Sequence, residues 1–428
     1  MIENKTFFFI KINNIEKINL FIISFFLLRF PPLVIPFINI YFFNSHTLAR
    51  IFLIYLSLII FFKKKKINQD KTFLLILILF LLGIKSISIL KVVSIEGFWN
   101  IFKDFIFGIL FFYLGFDLIE QKTLKKIILF FLITIFINTI IQTIIFFKTD
   151  FFINILSTFL YPKYIDNFLI HYHRGRFFVD IFDAALLPFL IYLFTNTRKK
   201  LLKSLLSVNI FLISFYSFIS GFRIQLLTVV LGLIFTFIIF EKTRKFIISL
   251  SILMFLLIGF IKFEKGINLN LFTLERLNLN EQANVQPIIS RFDFWEKAVG
   301  MGLSHLFLGV GLGNFYDYYY PKNIFLLSIF NPRNKLFEVT AFHPHNTFFA
   351  TFAETGVLGF ILLISILVLF LKDDIKDLNV KKNNRIFIIC FWLLFFYSLF
   401  GPDNILQYIV LFWFLRLMII FGRDKKII

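Results

Sequence analysis

The segment that decides the fold is residues 347–371, which read TFFATFAETGVLGFILLISILVLFL and carry one charged side chain, Glu354. A helix of roughly 17–25 apolar residues crosses the hydrocarbon core of a bilayer. Eleven further segments have a similar length and apolarity: 17–37, 47–62, 72–90, 97–118, 124–147, 177–194, 201–219, 222–240, 246–262, 384–400 and 404–421. The sequence therefore predicts an all-α, polytopic integral membrane protein with about twelve transmembrane helices.

The composition of the whole chain agrees with a protein dissolved in lipid. Of its 428 residues, 59% are hydrophobic and 16% are charged, and the mean hydropathy is +0.86. Soluble domains are about 45–50% apolar and about 25% charged, so a soluble globular enzyme is excluded. The single cysteine, Cys390, excludes a disulfide framework, a zinc site and a Cys-based redox motif within one chain.

The net charge of +20 reflects the topology of the chain. If the N-terminus is cytoplasmic, the inner segments hold 26 of the 45 lysines and arginines, whereas the four short outer loops hold only Lys91. Basic residues concentrate on the cytoplasmic side of membrane proteins. We therefore predict that both termini are cytoplasmic, that the partner is the lipid bilayer, and that nucleic acid is not a partner.

Two outer segments are too long to be simple connections. Residues 1–262 carry the first nine predicted helices and a smaller periplasmic loop at 148–176. A large periplasmic loop at 263–346 separates them from the last three helices at 347–428. Long loops are usually functional or disordered, and we expect the larger one to fold back over the bundle as short amphipathic helices. The halves of the chain do not repeat each other, which argues against a repeat-built transporter.

The richest candidate for chemistry is the run His343-Pro344-His345-Asn346-Thr347, at the start of the tenth predicted helix. All six histidines of the chain lie on the predicted outer side, so any proton chemistry there is external. Asn346 or Thr347 can cap the helix, and its free N–H groups favour an anion nearby. A histidine at this point can serve as a general base towards a hydroxyl. The alternative is a capping turn whose histidines only bond to the backbone.

Two arginines are the next candidates. Arg223 is predicted at or just below the outer interface, where it either binds a ligand or snorkels to the headgroups. Arg291 begins the run Arg-Phe-Asp-Phe-Trp295, ahead of three alternating glycines at 309–313. These glycines follow no strand and carry no Lys-Ser/Thr, so they favour close backbone packing or approach to a ligand over a nucleotide loop.

Charged residues elsewhere in the chain suggest further hypotheses about ligand binding and topology. Arg176 lies in a basic run at 173–176, and Asp180 and Asp183 follow it on one helical face. The two carboxylates could hold a divalent cation, but pairing with the neighbouring arginines is favoured, and we predict no metal site. Arg416 is predicted to snorkel towards the cytoplasm.

The order of these motifs resembles the bacterial O-antigen ligase and O-antigen polymerase superfamily. The resemblance covers about 290–370 and rests on Arg291 with Trp295, the glycine-rich turn, the His-Asn helix start and the run Glu354-Thr-Gly-Val-Leu-Gly359. Residues 220–223 resemble the Ser-Arg element of the family, although Phe222 stands where a small residue is usual. The resemblance implies a GT-C-like, all-helical membrane glycosyltransferase.

The resemblance also implies a reaction and its residues. The donor would be a glycan on undecaprenyl diphosphate, transferred on the periplasmic face of the bacterial inner membrane, without metal or cofactor and with inversion. His345 would activate the acceptor, because it directly precedes Asn346 as in the motif. Arg223 and Arg291 would bind the diphosphate, with Arg176 as a third clamp. The supporting residues implied by the same motifs are His343, Asn346, Glu354 and Trp295.

The acceptor separates the two activities of the superfamily. A ligase joins the glycan to lipid A-core, whereas a polymerase joins repeat units to a growing glycan. Gly302 lies eleven positions after Arg291, a spacing that resembles polymerases. We predict a ligase, with a polymerase as the alternative. A flippase or other transporter is a third hypothesis, but it would expect charged residues along a path through the membrane.

Overall fold

The computed structural model describes residues 13–29, 45–62, 69–91, 95–119, 121–147, 181–219, 222–263, 282–319, 344–380, 384–400 and 410–424. All regular secondary structure in these ranges is helical, which agrees with the predicted all-α class. Sequence predictions that lie outside the described residues include those for His343, for Arg176, for Asp180 and for the smaller loop at 148–176.

Fourteen α-helices occur within the described ranges. In chain order they are α1 (Asn14–Arg29), α2 (Ser45–Phe62), α3 (Gln69–Ile87), α4 (Ile95–Leu118), α5 (Gln121–Phe147), α6 (Ile181–Asn196), α7 (Lys200–Ile219), α8 (Arg223–Ile239), α9 (Arg244–Phe263), α10 (Gln282–Ser304), α11 (Phe315–Tyr319), α12 (Thr347–Val380), α13 (Arg385–Ser398) and α14 (Val410–Asp424). A 3-10 turn at Ser88–Lys91 continues α3. Each predicted span overlaps one of these helices, and α10 and α11 lie in the large predicted loop.

Among the described residues, four stretches of helix are long and apolar enough to cross a membrane. They are Leu74–Lys91 in α3 and its 3-10 turn, Thr123–Ile141 in α5, Lys200–Phe218 in α7 and Thr347–Leu378 in α12. Shorter apolar helices of 10–17 residues include parts of α2, α6, α8, α13 and α14. The described residues therefore form a multi-pass membrane protein, while the number of twelve crossings stays a prediction.

Aromatic side chains fill much of the interior. Phe21 stacks on Phe111 with ring centroids 4.5 Å apart, and Phe25 lies 4.9 Å from Phe414. Large apolar side chains also cover the outside, such as Phe255 of α9, which is 79% exposed. An apolar exterior is what contact with lipid requires, so this distribution agrees with a membrane location.

Arg416 does not snorkel, and that prediction is wrong. The side chain is 1% exposed, and its Nη1 donates to Oδ1 of Asp374 on α12 at 2.6 Å. The other carboxylate oxygen accepts from Nε1 of Trp392 at 2.9 Å, and the guanidinium carbon lies 4.0 Å from the ring centroid of Phe370. Because the guanidinium has a charged, hydrogen-bonded partner, the Arg416 side chain does not need to reach water. The two residues are 42 positions apart, so the sequence does not indicate that they pair.

Helix α10 differs from the expected arrangement of the large loop. It is a single helix of 23 residues, and it runs alongside the first half of α12. The residues just after its end lie beside the first half of that candidate span, because the backbone N–H of Val357 donates to the carbonyl of Leu306 at 2.7 Å. Leu303 and Phe307 are exposed there. This part of the predicted loop therefore packs beside the first part of α12.

Candidate functional site

The site is built around the start of α12. The side-chain oxygen of Asn346 accepts from the backbone N–H groups of Phe348 at 2.8 Å and Phe349 at 3.2 Å, which caps the helix. Its amide nitrogen donates to the carbonyl of Leu399, just beyond the end of α13, at 3.1 Å. Of the two predicted caps, Asn346 is therefore the one that the structure uses. This side chain also ties the start of α12 to the end of α13.

His345, directly before the cap, has an unusual backbone. Its φ of 52° lies in the left-handed region, the only such value at a non-glycine residue in the described ranges. This conformation costs about 1–2 kcal/mol for a residue with a Cβ, so the surrounding contacts must hold it. The ring is half-buried, with its centroid 5.9 Å from that of Phe294 on α10. A strained backbone of this kind is a common feature of active sites.

Helix α10 supplies the next contacts. Nε1 of Trp295 donates to the carbonyl of Pro344 at 2.8 Å, directly before His345. The indole ring also packs against Phe349 of α12, with centroids 5.3 Å apart. Trp295 thus contacts the residues on both sides of the strained turn. It connects α10 with the start of α12.

Arg291 lies one helical turn before Trp295, on the same face of α10. It is half-buried, and burial lowers the pKa of its guanidinium, an effect that the electrostatic interaction with Tyr397 opposes. An arginine stays protonated despite such a shift, since its pKa is far above neutrality. The start of α12 and the end of α13 therefore lie close to a fixed positive charge.

Arg223 is the first residue of α8 and is half-buried. The ring pairs Tyr192–Phe240 and Phe189–Phe387 place the second half of α6 near both the end of α8 and the beginning of α13. The beginning of α8 consequently lies at the opposite end of the bundle, where α13 ends beside Asn346. The structure thus puts Arg223 at the same end of the bundle as His345 and Arg291.

The glycine-rich turn lies two helical turns below His345. Gly309, Gly311 and Gly313 all have positive φ values, of 64°, 101° and 80°. The backbone N–H of Val310 donates to the carbonyl of Ala353 on α12 at 2.8 Å, and a Cβ at Gly309 would overlap the backbone of this helix. The predicted close backbone packing is confirmed.

A break in α12 makes this packing possible. Gly356 has a φ of 65° and a ψ of −164°, so the helix is interrupted there. The N–H of Val357 therefore donates to Leu306 instead of bonding within the helix, and the carbonyls of Ala353 and Glu354 accept from the glycine-rich turn. These three backbone groups beside the break thus find partners in the segment that follows α10.

Glu354 lies beneath the turn and is 2% exposed. Its Oε1 accepts from the N–H of Gly313 at 3.2 Å. It interacts electrostatically with Lys85 of α3, which is 1% exposed. Lys91 also reaches this region, because its Nζ donates to the carbonyl of Gly309 at 2.9 Å. Asn314 completes the link by donating to the carbonyl of Lys91 at 2.7 Å.

Lys85 and Lys91 were missed as site residues by sequence reasoning. Both had a usable signal. Lys85 is an ionisable residue inside an apolar segment, which is a functional hypothesis by default. Lys91 is the single basic residue of the short outer loops. Sequence alone could not bring either of them to residues more than two hundred positions away.

An apolar cavity of about 410 Å³ opens between α10 and α12. It is lined only by apolar side chains, which are Val299, Phe348, Phe349, Phe352, Phe360 and Ile364. Its upper end adjoins Trp295 through the ring contact with Phe349. The cavity thus leads from the polar end of the site along a candidate membrane span.

Among the described residues, no group of three or more histidine, cysteine, aspartate or glutamate side chains is placed to hold a metal ion. Asp183, the second carboxylate of the predicted pair, is fully buried in the first turn of α6. Asp180 lies outside the described residues.

These features define an all-helical, multi-pass membrane protein with a polar site at one end of its bundle. Residues 208–364 match the model of the O-antigen ligase family, and this confirms the resemblance to the O-antigen ligase and polymerase superfamily. The match runs from α7 to α12 and includes Arg223, Arg291 and His345, so it supports a glycan transferase of the O-antigen ligase type. No curated protein and no solved structure matches the chain.

Proposed function

We propose that the chain transfers an oligo- or polysaccharide from undecaprenyl diphosphate to an acceptor hydroxyl on the periplasmic face of the bacterial inner membrane. The acceptor in this proposal is lipid A-core, so the protein acts as an O-antigen ligase. One observation carries the proposal. His345 occupies a strained turn whose neighbouring residues are fixed by the Asn346 cap and by the hydrogen bond from Trp295. Arg291 lies one helical turn before Trp295, and all four residues are within the matched segment.

In the proposed reaction, His345 accepts the proton of the acceptor hydroxyl as that oxygen attacks the anomeric carbon. The bond between this carbon and the diphosphate oxygen breaks in the same displacement, which inverts the configuration. Undecaprenyl diphosphate leaves with the bonding electrons. Arg223 and Arg291 stabilise its developing charge, and Arg176 is the third proposed clamp.

Guanidinium groups suit this task because their planar fork binds a phosphate through two parallel hydrogen bonds. Their fixed charge can take the place of the divalent cation that other phosphoryl and glycosyl transferases bind. The proposed reaction therefore needs neither metal nor cofactor.

The apolar cavity between α10 and α12 supports a lipid-linked donor. An isoprenoid chain makes no hydrogen bonds and gains stability by leaving contact with water or by packing against rings. A lining of phenylalanine and aliphatic side chains offers such a surface. In this arrangement the diphosphate lies near Arg291 while the isoprenoid chain follows α12 into the bilayer.

A polymerase is the second candidate, and the observation in its favour is that Gly302 lies eleven positions after Arg291. A Cβ at this position would overlap the ring of Phe352, so glycine is required for α10 to approach α12. Packing thus accounts for this glycine without reference to the acceptor. We keep the ligase as the proposed function for this reason.

Deleting the gene and analysing the glycans tests the proposal and separates the candidates. A ligase predicts that lipid-linked polymer persists while lipid A carries no polymer. A polymerase predicts lipid A that carries a single repeat unit. Unchanged glycan on lipid A, together with unchanged lipid-linked polymer, would contradict both.

A further inference from the structure

Lys85 and Glu354 are two charged side chains buried together in the helical bundle. Both have almost no exposed surface, and they lie on α3 and α12, which pack against each other. Burying an ion is strongly unfavourable unless an opposite charge and hydrogen bonds compensate it. Two such side chains within candidate membrane spans therefore need an explanation other than the orientation of the chain in the bilayer.

The two carboxylate oxygens of Glu354 have different surroundings. Its Oε1 accepts from the N–H of Gly313, whereas its Oε2 is buried and has no hydrogen-bond partner among the described residues. Lys85 is the cation that acts electrostatically on this carboxylate. An apolar pair could fill the same space, but it could not hold the N–H of Gly313.

The same region is fastened a second time through the 3-10 turn that continues α3. Lys91 donates to the carbonyl of Gly309, and Asn314 donates to the carbonyl of Lys91. Residues from the N-terminal part of the chain thus contact the glycine-rich turn at both of its ends. Neither lysine lies within the segment that matches the family.

The glycine-rich turn also holds the first part of α12. Val310 and Gly311 donate to the carbonyls of Ala353 and Glu354, just before the break at Gly356. The helical segment between this break and the Asn346 cap is about two and a half turns long. A shift of the turn therefore moves the segment that begins directly after His345.

We propose that Lys85, acting through Glu354, is a positioning residue that fixes the glycine-rich turn against α12 and thereby sets the position of His345. The inference rests on the proposed function only in that His345 is taken as the base. It adds a contribution from α3, in the N-terminal part of the chain, to the site.

The test compares Lys85→Met with two double variants. Lys85→Met/Glu354→Gln removes both charges but keeps an oxygen that accepts from Gly313, whereas Lys85→Met/Glu354→Leu removes the acceptor as well. Rates are measured in membranes, with lipid-linked glycan extracted from the deletion strain as the donor and lipid A-core from the same strain as the acceptor. The amount of folded protein is measured alongside by thermal unfolding.

The single variant Lys85→Met is expected to lower kcat about 100-fold, in the range seen when a catalytic group is misplaced by about 1 Å. The KM for the donor should change less than about threefold, because the arginines keep their places. The variant with glutamine should recover kcat to within about tenfold of wild type. The variant with leucine should recover thermal stability but not kcat.

A matched control is Asp374→Asn, which removes the partner of the buried Arg416 on the same helix. It should lower stability without changing kcat per folded molecule, since it lies far from the glycine-rich turn.

Equal rates for the two double variants, or a wild-type kcat for Lys85→Met, would overturn the positioning role. If the wild type transfers no glycan, the proposed function fails. Thermal unfolding then still tests the pair, because a double variant that is no more stable than Lys85→Met would overturn it.

Discussion

Replacing Trp295 with phenylalanine is expected to slow glycan transfer far more than it lowers the stability of the bundle. The substitution keeps an aromatic ring near Phe349 but removes the N–H that donates to Pro344 at 2.8 Å. The Pro344 carbonyl belongs to a buried residue and would lose this partner. Leaving such a group without a hydrogen bond costs about 1–3 kcal/mol.

This loss is comparable with the strain that the hydrogen bond opposes. The left-handed backbone of His345 costs about 1–2 kcal/mol. Removing a similar amount of support allows other conformations of the turn to compete. Each 1.36 kcal/mol corresponds to a factor of ten in rate, so we expect kcat to fall by about 5- to 150-fold. The KM for the donor should change little, because Arg291 keeps its charge and its position on α10.

The assay is the initial rate of transfer from extracted lipid-linked glycan, normalised to folded protein. Trp99→Phe is the matched control, because Trp99 lies on α4 with 53% of its surface exposed. It removes the same N–H from a side chain that makes none of the hydrogen bonds described for the site. A kcat for Trp295→Phe within twofold of both the control and the wild type would refute the idea that this bond holds His345 in place.

Three further predictions concern the arginine clamp, the break in α12 and the independence of the reaction from divalent cations. Arg291→Lys keeps the charge but loses the planar fork, so the KM for the donor should rise about 10- to 100-fold, and an unchanged KM would argue against diphosphate binding. Gly356→Ala should lower the free energy of unfolding by at least about 1–3 kcal/mol, because its conformation suits glycine and a Cβ would overlap the backbone of Phe307. The control Gly259→Ala, at an open helical position, should leave that free energy unchanged or slightly raise it. Transfer should keep its full rate in EDTA, whereas strict dependence on a divalent cation would contradict the metal-free reaction.

Much of the fold could be predicted from the sequence because apolar length is a local property. The segment at 347–371 contains enough apolar residues to cross a bilayer, and the structure is helical there except for the break at Gly356. The pairing of Arg416 with Asp374 could not be predicted in the same way. It depends on which helices are neighbours, and hydropathy carries no information about that.

The candidate site shows the same division. The motif around His345 and Asn346 indicated a helix start, because a cap has a local signature. The buried partnership of Lys85 with Glu354 depends on α3 packing against α12 and had no local signature. The length of α10 was also missed, since its exposed apolar residues and its polar residues alternate too irregularly to mark one long helix. The positive φ of His345 lies between two residues fixed by hydrogen bonds, Pro344 and Asn346, and could not be read from the residue itself.

The most direct test of the central claim is a measurement of products with the purified protein in lipid nanodiscs. The lipid-linked glycan from the deletion strain serves as the donor and lipid A-core as the acceptor. The account predicts that glycan appears on lipid A-core in equal amounts with released undecaprenyl diphosphate. It also predicts that His345→Ala forms neither product although it folds and inserts normally. Equal product formation by His345→Ala, or no bond breaking by the wild type, would contradict it.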